Sequence, residues 1–159
     1  MSKPTKSNSA KVLRLERFLP YRLSITSNLI SGIIAQTYKD KFALSITEWR
    51  IMAVLGEYSG VSADEISAKI KIEKSIISRA LQKLLARNLV NREVDDNDGR
   101  RQNLNLTKVG LDIYHQLVPV SYDYENELLT CFTAQEQAQF NGLLDRLYQH
   151  AEELKSDTQ

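Results

Sequence analysis

Polar and cationic side chains recur along residues 74–88 at the spacing of one helix face. The apolar residues between them would turn inward, and the outward face of that helix carries no acidic residue. Ser75, Ser78 and Gln82 share one side of this face, where hydroxyl and amide groups can hydrogen-bond to base edges. Neighbouring cations suit phosphate oxygens. The candidate DNA-binding side chains on this helix are Lys74, Ser75, Ser78, Arg79, Gln82 and Lys83.

A second cationic group ends a turn-forming stretch at residues 95–101. Apolar and polar residues alternate on both sides of it, over 90–94 and 103–106, which predicts two half-buried strands of a β-hairpin. Arginines at the tip of such a hairpin can reach phosphates or the minor groove. The acid nearest to them could instead form only a surface salt bridge. The candidate residues of the tip are Asp98, Arg100 and Arg101.

Capping signals predict the helices that hold the polar face. Ser62 and Glu65 have the capping-box spacing, in which each side chain bonds the other residue's amide, so a short helix should begin at Ala63. The next helix should run from about residue 74 to residue 88. Two helices followed by a hairpin is the order of a winged helix-turn-helix, which we predict over residues 45–106. The predicted inward residues of the second helix are Ile77, Leu81, Leu84 and Leu85.

Amphipathic helices are predicted on both sides of this region. The first helix should restart at Pro20, because proline is tolerated in a first turn but kinks a helix interior. Ser45 opens the next helix with a capping box, and Thr107 caps a long helix in which Pro119 should produce a kink. Thr133 opens the last helix with another capping box. The predicted inward stripe of that helix is Phe140, Leu143, Leu144, Leu147, Tyr148, Ala151 and Leu154.

The apolar stripes of these outer helices are too long for a small winged region to cover. They therefore need each other and a second subunit. The predicted fold class is mainly α with a small β-hairpin, a winged helix-turn-helix flanked by terminal dimerisation helices. Residues 11–44 and 107–155 would form the helical dimerisation region, and residues 1–10 a disordered tail.

Composition narrows the function classes. The 159 residues carry a net charge of +1, but acidic side chains outnumber basic ones after residue 107, so positive charge is concentrated before it. No apolar run would span a membrane and no signal-peptide segment begins the chain, which predicts a cytoplasmic protein. The sequence has no glycine-rich phosphate loop, metal-ligand spacing or Ser/His/Asp arrangement, so we expect neither an enzyme nor a cofactor.

The cysteine and histidine residues predict neither a disulfide nor a metal site. Cys131 is the single cysteine, which excludes an intramolecular disulfide. A small apolar role is favoured for it over that of a redox sensor. His115 and His150 stand apart from each other and from the cysteine, so no metal site is expected.

Three segments of the chain carry a specific motif spacing. They are Leu44-Ser45-Ile46-Thr47-Glu48-Trp49, then Glu73-Lys74-Ser75-Ile76-Ile77-Ser78-Arg79, then Asp98-Gly99-Arg100-Arg101 followed by Leu104-Asn105-Leu106-Thr107 and Gly110. In these segments the chain resembles the multiple antibiotic resistance regulator (MarR) family of transcription regulators, over about residues 11–154. Glu73 departs from the family pattern, which more often has aspartate there, and glutamate is the poorer N-cap.

The resemblance implies a homodimer built by the terminal helices. Such a dimer would bind a pseudo-palindromic DNA operator, with repression favoured over activation, and a small ligand or oxidant would change its affinity. Arg100 would be the wing arginine and Asp98 the acid that orients it. A winged-helix module that binds another protein without touching DNA is the alternative function class. In the family pattern Ser75, Ser78, Arg79 and Gln82 would lie on the recognition helix.

A small-molecule site is expected where the winged region meets the outer helices. The resemblance implies an aromatic and often acidic compound there, and an arginine of the first helix could supply its counter-charge. For either arginine alone, a position that faces solvent or the DNA backbone is favoured over this role. Trp49 is favoured as core packing over a ligand platform, because its neighbours continue an apolar face. The candidate ligand-binding residues are Arg17, Arg22, Trp49, Met52, Tyr114 and His115.

Overall fold

The computed structural model describes residues 12–94 and 102–157. A single 3-10 turn at Leu15–Arg17 precedes the regular elements. The order of the elements is the predicted one, with six helices and one hairpin in this part of the chain. The elements are α1 (Leu19–Phe42), α2 (Ile46–Glu57), α3 (Ala63–Ile70), α4 (Lys74–Ala86), β1 (Val90–Val94), β2 (Gln102–Leu106), α5 (Lys108–Leu129) and α6 (Ala134–Ser156).

Local capping explains where most of these helices begin. Ser45, Ser62 and Thr133 each accept a hydrogen bond from the amide three residues on, and the glutamate at that position bonds back. The predicted restart of the first helix is confirmed, since Pro20 lies in the first turn of α1. α1 ends where Ala43 takes a left-handed conformation, with φ 52°.

The hydrophobic core lies under the winged region, where α2, α3, α4 and the hairpin meet. The capping boxes aim the short helices so that their apolar faces converge. Residues of α5 and β2 close this core from the other side. Its fully buried side chains include Ile51, Met52, Ile66, Ile77, Leu81, Leu84, Leu104 and Leu117.

The hairpin is held firmly at its base. β1 and β2 pair antiparallel, with Val90 opposite Leu106. The Leu104 amide donates to the Val61 carbonyl at 2.9 Å. This bridge adds a third backbone segment to the hairpin. The expectation of half-buried alternation is wrong for the outer part of β1, because Val94 is 63% exposed beyond the helices that cover the base.

α5 packs closely on both the winged region and α1. Thr107 caps it by accepting from the Gly110 amide, and Gly110 lies so close to the Leu89 carbonyl that a Cβ there would collide. Farther along, the Ser121 hydroxyl lies 2.8 Å from the Tyr38 hydroxyl of α1. α5 runs through Pro119 as one helix. The kink expected there stays a prediction.

The predicted inward stripe of α6 is exposed in the single chain, which corrects the sequence expectation. Leu143, for example, is 59% exposed, and no residue of α6 is buried. Ile33 on α1 is likewise more than half exposed. The physical reason is that no other helix of the described residues packs along α6. Cys131 is also exposed, so it does not fill the core as a small apolar residue. None of the helices in the described residues is both long and apolar enough for a membrane span.

Candidate nucleic-acid interface

α4 separates an apolar face from a polar one. Its buried residues are Ile77, Ala80, Leu81 and Leu84, which pack into the core. On the opposite side all six predicted DNA-binding residues of this helix are exposed. The predicted inward residue Leu85 is half-buried. The burial pattern therefore presents a continuous polar surface of serine, glutamine, arginine and lysine side chains.

The start of α4 has no side-chain cap. Glu73 is the N-cap residue, and its carboxylate makes no capping hydrogen bond, as expected for glutamate at this position. The helix still begins at Lys74, because Glu73 provides the first carbonyl of the helical hydrogen-bond ladder. First-turn amides without a capping side chain favour an anionic group in front of the helix.

The positive charge of the α4 surface is partly offset by an acid that the sequence pattern did not reveal. The Asp64 carboxylate of α3 lies 2.9 Å from the Lys74 ammonium, and both side chains are more than two-thirds exposed. The outer face of α4 itself carries no acidic residue, but the folded surface includes one because α3 supplies Asp64. Arg79 lies along its own helix, where its Nε donates to the Ser75 carbonyl at 3.4 Å. Neither contact is buried, so both can rearrange in front of phosphate.

The base of the wing adds one cation that sequence reasoning did not single out. Arg92 is exposed on β1, and its Nη1 donates to the Gln102 side-chain oxygen at 3.4 Å. Together with Asp64 and Ser62 it lines a cavity of about 370 Å³ between α3 and the hairpin. Its exposed position in a strand next to the arginine-bearing turn was the available signal. The predicted tip residues Asp98, Arg100 and Arg101 lie outside the described residues.

A second feature is an aromatic cleft between α2 and α5. The Trp49 and Tyr114 rings stack with centroids 6.1 Å apart and an interplanar angle of 27°. Tyr38 of α1 packs against the other side of Trp49 at 5.2 Å. Beside this stack lies a cavity of about 470 Å³. We call it the α2–α5 cleft, and its lining residues are Trp49, Ala53, Glu57, Tyr114, Val118, Ser121 and Tyr122.

Only two of the six predicted ligand-binding residues line the α2–α5 cleft, namely Trp49 and Tyr114. Met52 is fully buried in the core and is not among the lining residues. The other three, Arg17, Arg22 and His115, have exposed side chains and are not among the lining residues.

The charged group of the cleft lining is Glu57, which sequence reasoning missed. Its carboxylate hydrogen-bonds to Tyr58 and raises the pKa of that phenol. Deeper in the fold, burial raises the pKa of Tyr38, although its hydrogen bond with Ser121 partly opposes the rise. The cleft lining therefore combines three aromatic side chains, tyrosine and serine hydroxyls and one carboxylate. Among the described residues no cluster of histidine, cysteine and acidic side chains could hold a metal ion.

Comparison with known proteins matches the chain to one family. The MarR family model matches residues 44–101, which include α2, α3, α4 and β1. The HTH-type transcriptional regulator PecS of Dickeya dadantii (strain 3937) is 27% identical over 131 residues, which are 80% of this chain and 78% of that protein.

Solved structures agree over almost the whole chain. A MarR/EmrR family transcriptional regulator from Acinetobacter sp. ADP1 superposes with a TM-score of 0.82 at 26% identity, covering 89% of this chain and 99% of that one. The MepR protein of S. aureus, solved as a complex with DNA, superposes with a TM-score of 0.76 at 19% identity, covering 84% and 98%. Over its winged region the chain matches the MarR family of transcription regulators, and its described fold is the mainly helical fold with a hairpin wing of that family.

Proposed function

We propose that this regulator is a homodimeric repressor that places α4 of each protomer in the major groove of a pseudo-palindromic operator. The observation that carries this proposal is the division of α4 into an apolar face packed on the core and an exposed face that holds its polar residues. A helix packed in this way can present its outer side chains to base edges without losing its own support.

The side chains of α4 divide by chemistry into two roles. Ser75, Ser78 and Gln82 lie at successive turns of one side and would read base edges. Arg79 and Lys83 would bind phosphates, where a positive charge matters more than geometry. Lys74 would exchange its contact with Asp64 for a phosphate. Arg100 and Arg101 of the wing would add contacts at the flanking groove or backbone, Asp98 would orient Arg100, and Arg92 would add a further cation.

Exposed apolar surface on the outer helices supports the homodimer. Leu23 and Ile33 of α1 and Leu143 and Leu154 of α6 are all more than 40% exposed in the single chain. A monomer rarely leaves such a surface in water, whereas a second copy of the same chain would bury it by a twofold contact. The arrangement would hold two α4 helices at a fixed separation, as a pseudo-palindrome requires.

We further propose that a planar aromatic compound binds in the α2–α5 cleft and lowers operator affinity. Trp49, Tyr114 and Tyr122 line the cleft and offer aromatic surface for such a compound. Glu57 favours a hydrogen-bond donor or a cation on the ligand over the acidic group expected from the sequence. Binding would act by preferring one placement of α2, and of the α4 packed against it, over another.

Salt dependence of binding to duplex DNA tests the proposed function. Because lysines and arginines release counterions from phosphates, the logarithm of the affinity should fall with the logarithm of salt by about 0.9 per neutralised phosphate. Fluorescence anisotropy of a labelled duplex of mixed sequence measures that slope. A nearly flat salt response would favour the protein-interaction alternative, since an interface of mixed polarity depends only weakly on salt.

A further inference from the structure

The residue that follows the recognition helix bonds directly to the end of α1. Arg87 is the C-cap of α4, and its Nη1 donates to the Ala43 carbonyl at 2.7 Å while Nη2 donates to the Phe42 carbonyl at 2.9 Å. Phe42 is the last residue of α1, and Ala43 is its left-handed cap. These carbonyls have no partner in their own helix and carry the partial negative charge of its C-terminus. The planar guanidinium fork therefore binds both acceptors at once.

The other end of the recognition helix is tied to α6. Lys71, in the turn between α3 and α4, has a left-handed backbone with φ 54°. Its Nζ lies 3.2 Å from the Glu152 carboxylate near the end of α6. The hydrogen bond that Lys71 donates to Glu152 is the main cause of the raised pKa of Lys71. Arg87 makes two hydrogen bonds, whereas Lys71 and Glu152 form a single ion pair between side chains that are 48% and 45% exposed, so the ion pair is the weaker contact.

We propose that Arg87 and the Lys71–Glu152 pair are positioning contacts that fix the direction of α4 against α1 and α6, and so select the half-site spacing that the regulator accepts. This inference rests on the proposed homodimer, because α1 and α6 carry the apolar surface that would join the protomers. Apolar packing under α4 is nondirectional and permits small rotations. Paired hydrogen bonds at one end and an ion pair at the other restrict those rotations.

Two nitroxide labels, one on each protomer, measure this restriction without DNA. The full-length chain with Cys131→Ser and Ser78→Cys carries one label per protomer, on the exposed face of α4. Pulsed electron spin resonance then gives the distribution of distances between the two recognition helices. Arg87→Met keeps an apolar stem but removes the donors, and Glu152→Gln removes the negative charge that pairs with Lys71 without removing a cation from the DNA-facing side. Lys39→Met is the control, since it removes a positive charge from the same turn of α1 that Arg87 binds.

We expect a single narrow distribution of label distances for the labelled protein with native Arg87 and Glu152, and for the same protein with Lys39→Met. The distribution should broaden strongly in Arg87→Met and weakly in Glu152→Gln. In the native Ser78 background, the preference of Arg87→Met for the native operator spacing over spacings one base pair longer or shorter should fall by about tenfold. A uniform loss across all spacings would mean only a lost charge, and would overturn the inference.

Two further outcomes keep the inference and the proposed function separate. A dimer whose distance distribution stays narrow in both Arg87→Met and Glu152→Gln would overturn the inference alone. Absence of any distance between protomers before these changes would contradict the homodimer, and the inference with it. Glu152 is an exposed side chain, so its variant keeps the test valid if Arg87→Met fails to fold.

Discussion

Gln82 and Lys83 are neighbours on the recognition helix with different chemistry. The amide of glutamine can pair with a base edge in two places, whereas the lysine ammonium binds phosphate as a point charge. Gln82→Ala should therefore lower discrimination between operator and mismatched sites, by about 1–3 kcal/mol at one base pair. Lys83→Ala should weaken binding to every sequence and reduce the salt slope by about 1. Selection from random duplexes compares the two, and an unchanged consensus for Gln82→Ala would exclude its role in base reading.

Gly110 allows α5 to approach the winged region. A Cβ at this position would overlap the backbone carbonyl of Leu89, and backbone cannot move aside as a flexible side chain can. Gly110→Ala should therefore reduce the free energy of unfolding by about 1–3 kcal/mol, measured by urea denaturation. Gly142→Ala on α6 is the matched control, because its Cβ would meet nothing within 4 Å. The control should be neutral or stabilising by up to about 1 kcal/mol, and equal losses in both variants would rule out the close approach.

At the scale of single elements, the N-terminus of α6 depends on an ionised carboxylate. The Thr133 amide and then its hydroxyl bond the Glu136 carboxylate and lower its pKa below the ordinary 4.5. A lowered folded-state pKa gives stability that is present above the unfolded value and is lost as the pH falls through the folded one. Glu136→Gln should thus lower the melting temperature at neutral pH. The difference in melting temperature between this variant and the native chain should shrink below about pH 4.5. Glu125→Gln on α5 controls for the lost charge. A difference that persists at low pH would contradict the capping role.

Helix starts could be predicted from the sequence, whereas contacts between helices could not. Ser45, Ser62 and Thr133 mark helix starts because both partners of a capping box lie within one turn. The contact between Lys74 and Asp64 depends on how α3 packs beside α4, which no periodicity within a single helix reveals.

The candidate site follows the same division. The exposed face of α4 was predictable because a helical period determines which side is buried. The hydrogen bonds of Arg87 to α1 join residues more than 40 positions apart and arise only from the folded arrangement. The α2–α5 cleft is an intermediate case, since aromatic residues pointed to it but its carboxylate, Glu57, became evident only from packing.

At the scale of the whole molecule, the exposed stripe of α6 should decide the oligomeric state. The double variant Leu143→Glu, Leu147→Glu places two charges on the surface that a partner would cover. Burial of each leucine there would stabilise the dimer by about 1.5–3 kcal/mol. Both residues are exposed in the single chain, so the helical content should be retained while light scattering reports a monomer with weakened operator binding. Gln149→Glu lies on the opposite side of the same helix and should remain dimeric. A dimer of undiminished affinity in the double variant would exclude α6 from the interface.

The central claim is that two α4 helices read duplex DNA together. The symmetry of the DNA site that the protein selects tests this claim most directly. The full-length protein should be incubated with random duplexes, and the retained molecules sequenced. We expect an inverted repeat whose half-site centres lie one helical turn apart, about 10–10.5 base pairs, or a multiple of it. A consensus without twofold symmetry, or no enrichment at a salt concentration where mixed-sequence DNA binds, would contradict the account.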